Sequence, residues 1–172
     1  ICVSSKEAAI SVADVTKKDS TSGISTATYP EYGYVDQGWL DEEQRYYYQS
    51  DELDEMQGKA GQERTLVWDM KDLDNPKLVN QLYLSNESSD HNLYVRGTTM
   101  YQSNYKSGLR ILDISDRESP EEVAHFDTQQ YDSNEAGFQG SWSNYPYFES
   151  GIIIVSSIGE GLFVLEESQQ EL

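Results

Sequence analysis

Cysteine is nearly missing from this 172-residue chain, in which Cys2 stands alone. An internal disulfide and a cluster of cysteine metal ligands are thereby excluded. Histidine is almost as scarce: His91 and His125 cannot by themselves build a three-histidine zinc site. Positive charge is short as well, since 12 Lys and Arg face 31 Asp and Glu, a formal net charge of −19. Nucleic acid and anionic membrane surfaces need a cationic footprint, and this surface would repel both. Cations are its natural counterpart. No helical periodicity of useful length occurs, and the longest apolar run, 152–155, is far too short to insert in a membrane. The Gly-x-Ser-x-Gly elbow, the phosphate-binding glycine loop and His-Glu-x-x-His are also missing. The chain begins at Ile1 without a basic segment leading into an apolar one. The expectation is a processed or truncated N-terminus, with any export signal upstream.

What is abundant points to β structure: 13 Tyr, 3 Trp and 12 Gly. One phrase recurs, an apolar strand closed by an acid: Ile10-Ser11-Val12-Ala13-Asp14, Leu66-Val67-Trp68-Asp69, Leu109-Arg110-Ile111-Leu112-Asp113 and Leu162-Phe163-Val164-Leu165-Glu166. Each has an upstream partner strand, ending at Ser5, Asp51, Asn104 and Ser157. The separations Ser5 to Asp14, Asn104 to Asp113 and Ser157 to Glu166 are equal, whereas Asp51 to Asp69 is twice as long. The second unit therefore carries an insertion, 52–64, in an otherwise tight hairpin. Pro76 and Pro120 stand at the same offset after Asp69 and Asp113. The acids Asp19, Asp74 and Glu118, followed by Ser20, Asn75 and Ser119, complete a recurring turn. Asp14, Asp69 and Asp113 are expected to bond the turn that follows each of them. Outer strands at 77–82 and 121–126 and inner strands at 34–40, 91–95 and 138–142 complete units of about 45 to 55 residues.

A four-stranded antiparallel unit repeated at that length is most economically a β-propeller blade, because radial stacking buries both faces of each sheet. The predicted fold is all-β, with units at about 1–30, 31–84, 85–130 and 131–167 and a polar tail at 168–172. The chain is expected to begin in the second strand of one blade and end in the third strand of another. It reads as a segment of a larger propeller, whose remaining blades are its implied partners.

The chain resembles the LVIVD-repeat propellers, and within them the choice-of-anchor B family of bacterial surface proteins. The match is carried by 90–97, Asp-His-Asn-Leu-Tyr-Val-Arg-Gly, and by Met100-Tyr101-Gln102-Ser103-Asn104-Tyr105, 107–116 and Gly140-Ser141-Trp142-Ser143-Asn144-Tyr145-Pro146; 37–40 and 51–55 extend it. The resemblance implies an exported, extracellular or cell-surface propeller with a C-terminal sorting anchor and no established activity. The family tends to place His before Gln37, where this chain has Asp36. The chain ends at Leu172 without a visible anchor.

Propeller topology places the outer-to-inner connections and the second-to-third-strand connections on one face. Acids crowd it: Glu31, Asp51, Glu52, Asp54, Glu55, Glu63, Glu87, Asp90, Asp132, Glu135 and Glu160, against Lys6, Lys59, Lys106 and the flanking Arg64. Converging loops on a rigid scaffold are where binding sites usually form. The insertion carboxylates Asp51, Glu52, Asp54 and Glu55 suit a hard cation such as Ca²⁺, although neither their spacing nor Gly58 fits an EF-hand; a solvated acidic loop is the alternative. His91 beside Asp90 can be a ligand or a base oriented by a carboxylate, or can satisfy a local bond. Trp39 and Trp142, at like positions in inner strands, either line a central channel for a sugar or peptide or pack in the core. Asn104 joins the candidate ligand set. Trp68 reads as packing between blades, His125 as exposed, and Asn86-Glu87-Ser88 as an idle glycosylation sequon. The functional expectation is an exported binding or scaffold module with an acidic ligand face for an extracellular carbohydrate or peptide. The alternative is a divalent-metal-dependent hydrolase or lyase using carboxylates of that face.

Overall fold

The computed structural model describes residues 2–6, 9–131 and 133–167, leaving Asp132 and the tail at 168–172 outside the described residues. Fourteen strands are described, in four antiparallel sheets. The first is β1 (Cys2–Lys6), β2 (Ala9–Asp14) and β3 (Ser22–Ala27). The second runs β4 (Val35–Leu40), β5 (Tyr46–Asp51), β6 (Arg64–Asp69) and β7 (Lys77–Tyr83). The third runs β8 (Leu93–Arg96), β9 (Thr99–Ser103), β10 (Leu109–Asp113) and β11 (Glu121–Phe126). The fourth is β12 (Gly140–Tyr145), β13 (Ile153–Ile158) and β14 (Gly161–Leu165). Neighbours in sequence are neighbours in each sheet, so every sheet is an up-and-down meander.

Burial explains why alternation is so weak in parts of the sequence. Every residue of β5 is buried, and in β6 all but the last, because the second sheet is covered on both faces by the first and third. A strand covered on both sides needs no polar face. β13 instead alternates buried with partly or fully exposed residues, and Leu162 and Val164 of the adjoining β14 are each 63% exposed.

The apolar cores lie between sheets. Ile10, Val12 and Tyr29 pack with Leu66, Trp68 and Met70 between the first and second. Tyr46, Tyr48 and Val67 meet Leu93, Val95, Met100 and Leu112 between the second and third. Tyr101, Leu109 and Ile111 meet Ile153 and Val155 between the third and fourth. Trp68 is thus packing between blades, as its place in the repeat predicts.

Repetition extends to local geometry. The third and outer strands slip register by a bulge at Val12/Ala13, Val67/Trp68 and Ile111/Leu112, one equivalent place in three sheets. The closing acids cap the turns: Asp14 accepts from Thr16 N (2.8 Å), Asp69 from Lys71 N (2.9 Å) and Asp113 from Ser115 N (2.7 Å). These turns also join blades, since Tyr46 Oη donates to Glu118 (2.7 Å) and Tyr48 Oη to the Arg117 carbonyl (3.0 Å).

At the inner edge, side-chain amides continue the ladder across the sheet boundary. Gln37 Nε2 donates to the Leu93 carbonyl (3.0 Å), and Leu93 N donates to Gln37 Oε1 (2.8 Å). Farther round, Ser141 N donates to the Tyr105 carbonyl (2.8 Å). Gly140, at φ 86°, makes this approach possible, because a Cβ there would collide with the Tyr105 backbone.

Candidate functional site

The insertion lies between Asp51, the last residue of β5, and Arg64, the first of β6. Its carboxylates are folded in, with Asp51, Asp54 and Glu63 fully buried and Glu52 and Glu55 half-buried, while 56–59 are exposed; against the alternative of a solvated acidic loop, the acids face the interior. Asp51 accepts from Tyr29 Oη (2.5 Å), Gly33 N (2.7 Å) and Tyr34 N (2.5 Å). Arg64, 1% exposed, is the cation at the centre. Its Nε donates to Asp54 (2.7 Å), its Nη2 to the Glu31 carbonyl (2.8 Å), and its Nη1 to Gln81 (3.2 Å) and the Pro30 carbonyl (3.4 Å). Asp51 lies 3.7 Å away, and the guanidinium sits over the Tyr29 ring. A planar, multiply bonded guanidinium is suited to such a buried junction. The insertion is therefore fastened to the loop that enters β4.

Carboxylates outnumber cations in this interior, and their protonation reflects it. Burial, and then Asp54 beside it, raises Glu55; burial also raises Asp54, against the pull of Glu55 and Arg64. Burial pushes Glu63 up to about 7, against the pull of its Asn86 hydrogen bond (2.7 Å). Asp90 is raised well above its ordinary value by burial and then by Glu55. Among the described residues neither Asp90 oxygen has a hydrogen-bond partner. Asn104, fully buried, lies against Glu63 closely enough to favour its charged form, without a well-formed amide hydrogen bond.

Above this interior, where the inner strands begin, a second group is partly open. His91 Nε2 lies 3.2 Å from Asp36 and 3.7 Å from Glu52. His91 Nδ1 is 2.5 Å from the Trp142 carbonyl, and Tyr105 Oη donates to Glu52. The imidazole packs against Trp142 (ring centroids 4.6 Å) and Tyr105 (5.0 Å), and Phe138 stands on Tyr105 (5.3 Å). His91 and Tyr105 are buried. Trp142 and Phe138 are 45% and 44% exposed, and the Asp36 and Glu52 side chains reach solvent beside them. Two carboxylates, a held imidazole and two half-exposed aromatic rings thus form one shelf. Such a set can receive a cationic group, or exchange a proton at His91.

Trp39 is elsewhere, which corrects its pairing with Trp142. Trp142 sits in the bulge near the start of β12, whereas Trp39 pairs with Tyr48 near the far end of β4. There it packs on Tyr94 (5.1 Å) and Tyr147 (6.3 Å). At 39% exposed it is no more a core residue than Trp142.

Of the proposed ligand residues, His91 and Trp142 meet on the shelf, Asp90 and Asn104 lie buried behind it, and Trp39 stands apart. Of the proposed metal residues, Glu52 faces His91 and Tyr105. Asp51 and Asp54 are bonded to Arg64 and its surroundings, and Glu55 accepts from Arg64 N (3.0 Å). Among the described residues no three His, Cys, Asp or Glu side chains are grouped to hold a metal ion. His125 is exposed and lies 3.4 Å from Glu122.

Asp36, Arg64, Glu63 and Tyr105 were not among the sequence candidates. Arg64 had a signal, as the one guanidinium bordering the acidic insertion.

Solved structures with the same architecture place the chain among the β-propellers. A Lactobacillus plantarum protein superposes with a TM-score of 0.69 at 11% identity, covering 93% of this chain and 51% of its own. A periplasmic gluconolactonase from Pseudomonas aeruginosa superposes with a TM-score of 0.64 at 14% identity, covering 87% and 43%. The chain thus spans about half, or less, of the length of these structures. At such identity the likeness establishes the fold alone. No family model matches the sequence, and no curated protein matches it. Among the described residues no helix is long and apolar enough to cross a membrane.

Proposed function

We propose that this chain is part of an exported bacterial surface propeller, of the LVIVD-repeat, choice-of-anchor B kind, that binds basic peptide segments on its acidic face. The observation that carries the reading is the shelf itself. His91 is fixed between Asp36 and Glu52, and the rings of Trp142 and Phe138 are partly exposed beside it. An ammonium or guanidinium gains from both the carboxylates and the indole face, and the net charge of −19 steers it there. The periplasmic neighbour supports export, and the blades beyond this chain would complete the ring. Calorimetric titration with a lysine- and arginine-rich peptide tests the reading. Binding lost in Trp142→Ala and Asp36→Asn is expected; equal binding by both variants would sink it.

A second reading, a divalent-metal-dependent hydrolase or lyase, is favoured by the Asp36–His91 contact at 3.2 Å, which suits a general acid or base. The gluconolactonase neighbour adds lactones to the substrates worth assaying. Lactone hydrolysis that needs Ca²⁺ and is lost in His91→Gln would favour this reading over simple binding.

A further inference from the structure

We infer a second ligand site at the opposite end of the inner strands, a groove for a neutral oligosaccharide running from Trp39 past Glu42 to Arg96. Two cavities meet there. One, of about 420 Å³, is lined by Trp39, Asp41, Glu42, Gln44 and Tyr147. The other, of about 520 Å³, is lined by Glu42, Arg96, Thr98, Thr99 and Glu167. Glu42 belongs to both, so they form one groove across the turns β4–β5 and β8–β9. Each is within the roughly 300–1,000 Å³ of small-molecule sites.

The aromatic end is built rigidly. Trp39 stands edge-on to Tyr94 at 5.1 Å, and Tyr94 stands edge-on to Tyr147. The Tyr147 hydroxyl is held by the Val95 carbonyl (2.9 Å), and the Tyr94 hydroxyl contacts Ser143 Oγ (3.2 Å). These rings prop the indole while it remains 39% exposed, a platform of low conformational cost. At the polar end, Glu42 Oε1 accepts from Gly97 N (2.8 Å), which fixes the carboxylate. Arg96 is fixed through Nη1 by the carbonyls of Pro146 (2.9 Å) and Phe148 (3.4 Å).

A pyranose has an apolar C–H face and a rim of hydroxyls, which match an aromatic platform continued by carboxylate, guanidinium and threonine groups. Asp41 is buried and bonded to the β4–β5 turn, but Glu42 and Glu167 would repel a uronate or a phosphate, and the polar half excludes an acyl chain. The site is independent of the peptide shelf, because Trp142 lies at the other end of its strand.

The test titrates cellotetraose, chitotetraose, mannotetraose and tetragalacturonate into the 172-residue chain, by calorimetry with tryptophan fluorescence alongside. The expected result is binding of at least one neutral sugar below roughly 10 mM. Glu42→Gln is expected to weaken it about tenfold, Trp39→Ala to remove it, Trp39→Phe to restore part of it, and Trp142→Ala to leave it unchanged. Near-ultraviolet circular dichroism establishes that each variant is folded. The inference is overturned if no neutral tetrasaccharide binds, if tetragalacturonate binds as well as the neutral sugars, or if Trp39→Ala and Glu42→Gln bind like the parent. Failure of the peptide titration does not bear on it.

Discussion

The imidazole of His91 and the carboxylate of Asp36 meet at 3.2 Å across the boundary between two blades. Asp36 lies at the start of β4 and His91 just ahead of β8. An acid of one blade thus pairs with the imidazole of the next. The shelf is consequently shared property of two sheets, with Trp142 of a third completing it.

Charge should dominate peptide binding on that shelf. Raising NaCl from about 0.05 to 0.5 M is expected to weaken a lysine-rich peptide by an order of magnitude or more. Glu52→Gln should cost about a further tenfold at low salt, while keeping an acceptor for Tyr105. A salt-independent affinity, read by calorimetry, would contradict the shelf's electrostatic character.

Arg64→Met should destabilise the chain by about 3–5 kcal/mol, because it leaves Asp51 and Asp54 buried without their cation. Urea unfolding measures this. Adding Asp54→Leu to Arg64→Met is expected to recover part of the loss, which would separate the stranded charge from lost packing.

Stability should fall as pH rises from 5 to 8. Glu63 is held at about 7 in the folded chain, against an ordinary 4.5. Between those values the folded chain keeps a proton that the unfolded chain has released. Its contribution is complete below 4.5 and lost as pH rises through about 7, amounting to about 3 kcal/mol at most. Asp54, Glu55 and Asp90 are raised too and act in the same sense. The exposed acids held below their ordinary values, such as Asp113, oppose this only at more acid pH. Melting temperature against pH should show the slope, and Glu63→Gln should flatten it; a rising curve would contradict the assignment.

Gly33→Ala should lower stability by about 1–3 kcal/mol. A Cβ at Gly33 would stand 2.5 Å from Asp54 N and 2.7 Å from Asp51 Oδ1. Because the strain falls on the join between the loop entering β4 and the insertion, amide exchange should quicken at 51–54 before it does in β10. Uniform exchange would show that the insertion is not a separate unit.

Most of the architecture was legible because it repeats. The spacing from Ser5 to Asp14 recurs from Asn104 to Asp113, and both hairpins form with the predicted turn acids in place. Even the insertion showed itself as a doubled interval. The interior of the insertion did not, because a run of acids looks the same in sequence whether it faces water or Arg64. Only the fold brings Tyr29 and Pro30 onto that guanidinium. Trp39 and Trp142 misled for a different reason. Both occupy inner strands, but Val35 pairs with Asp51 and Ser141 with Ser157 at the equivalent rung, so Trp39 stands well along its strand from that rung and Trp142 directly after it.

The double hydrogen bond between Gln37 and Leu93 also bears on how the assembly yields to force. A side-chain amide there stands in for a strand, fastening two sheets along their inner edge, while apolar contacts predominate between their middle strands. Blades so joined are stitched at the spine, like the leaves of a book. Farther out, the bonds from Tyr46 and Tyr48 to the Glu118 turn tie the same two blades, and separating whole blades must break the amide pair as well. Gln37→Leu would loosen the binding at that one page.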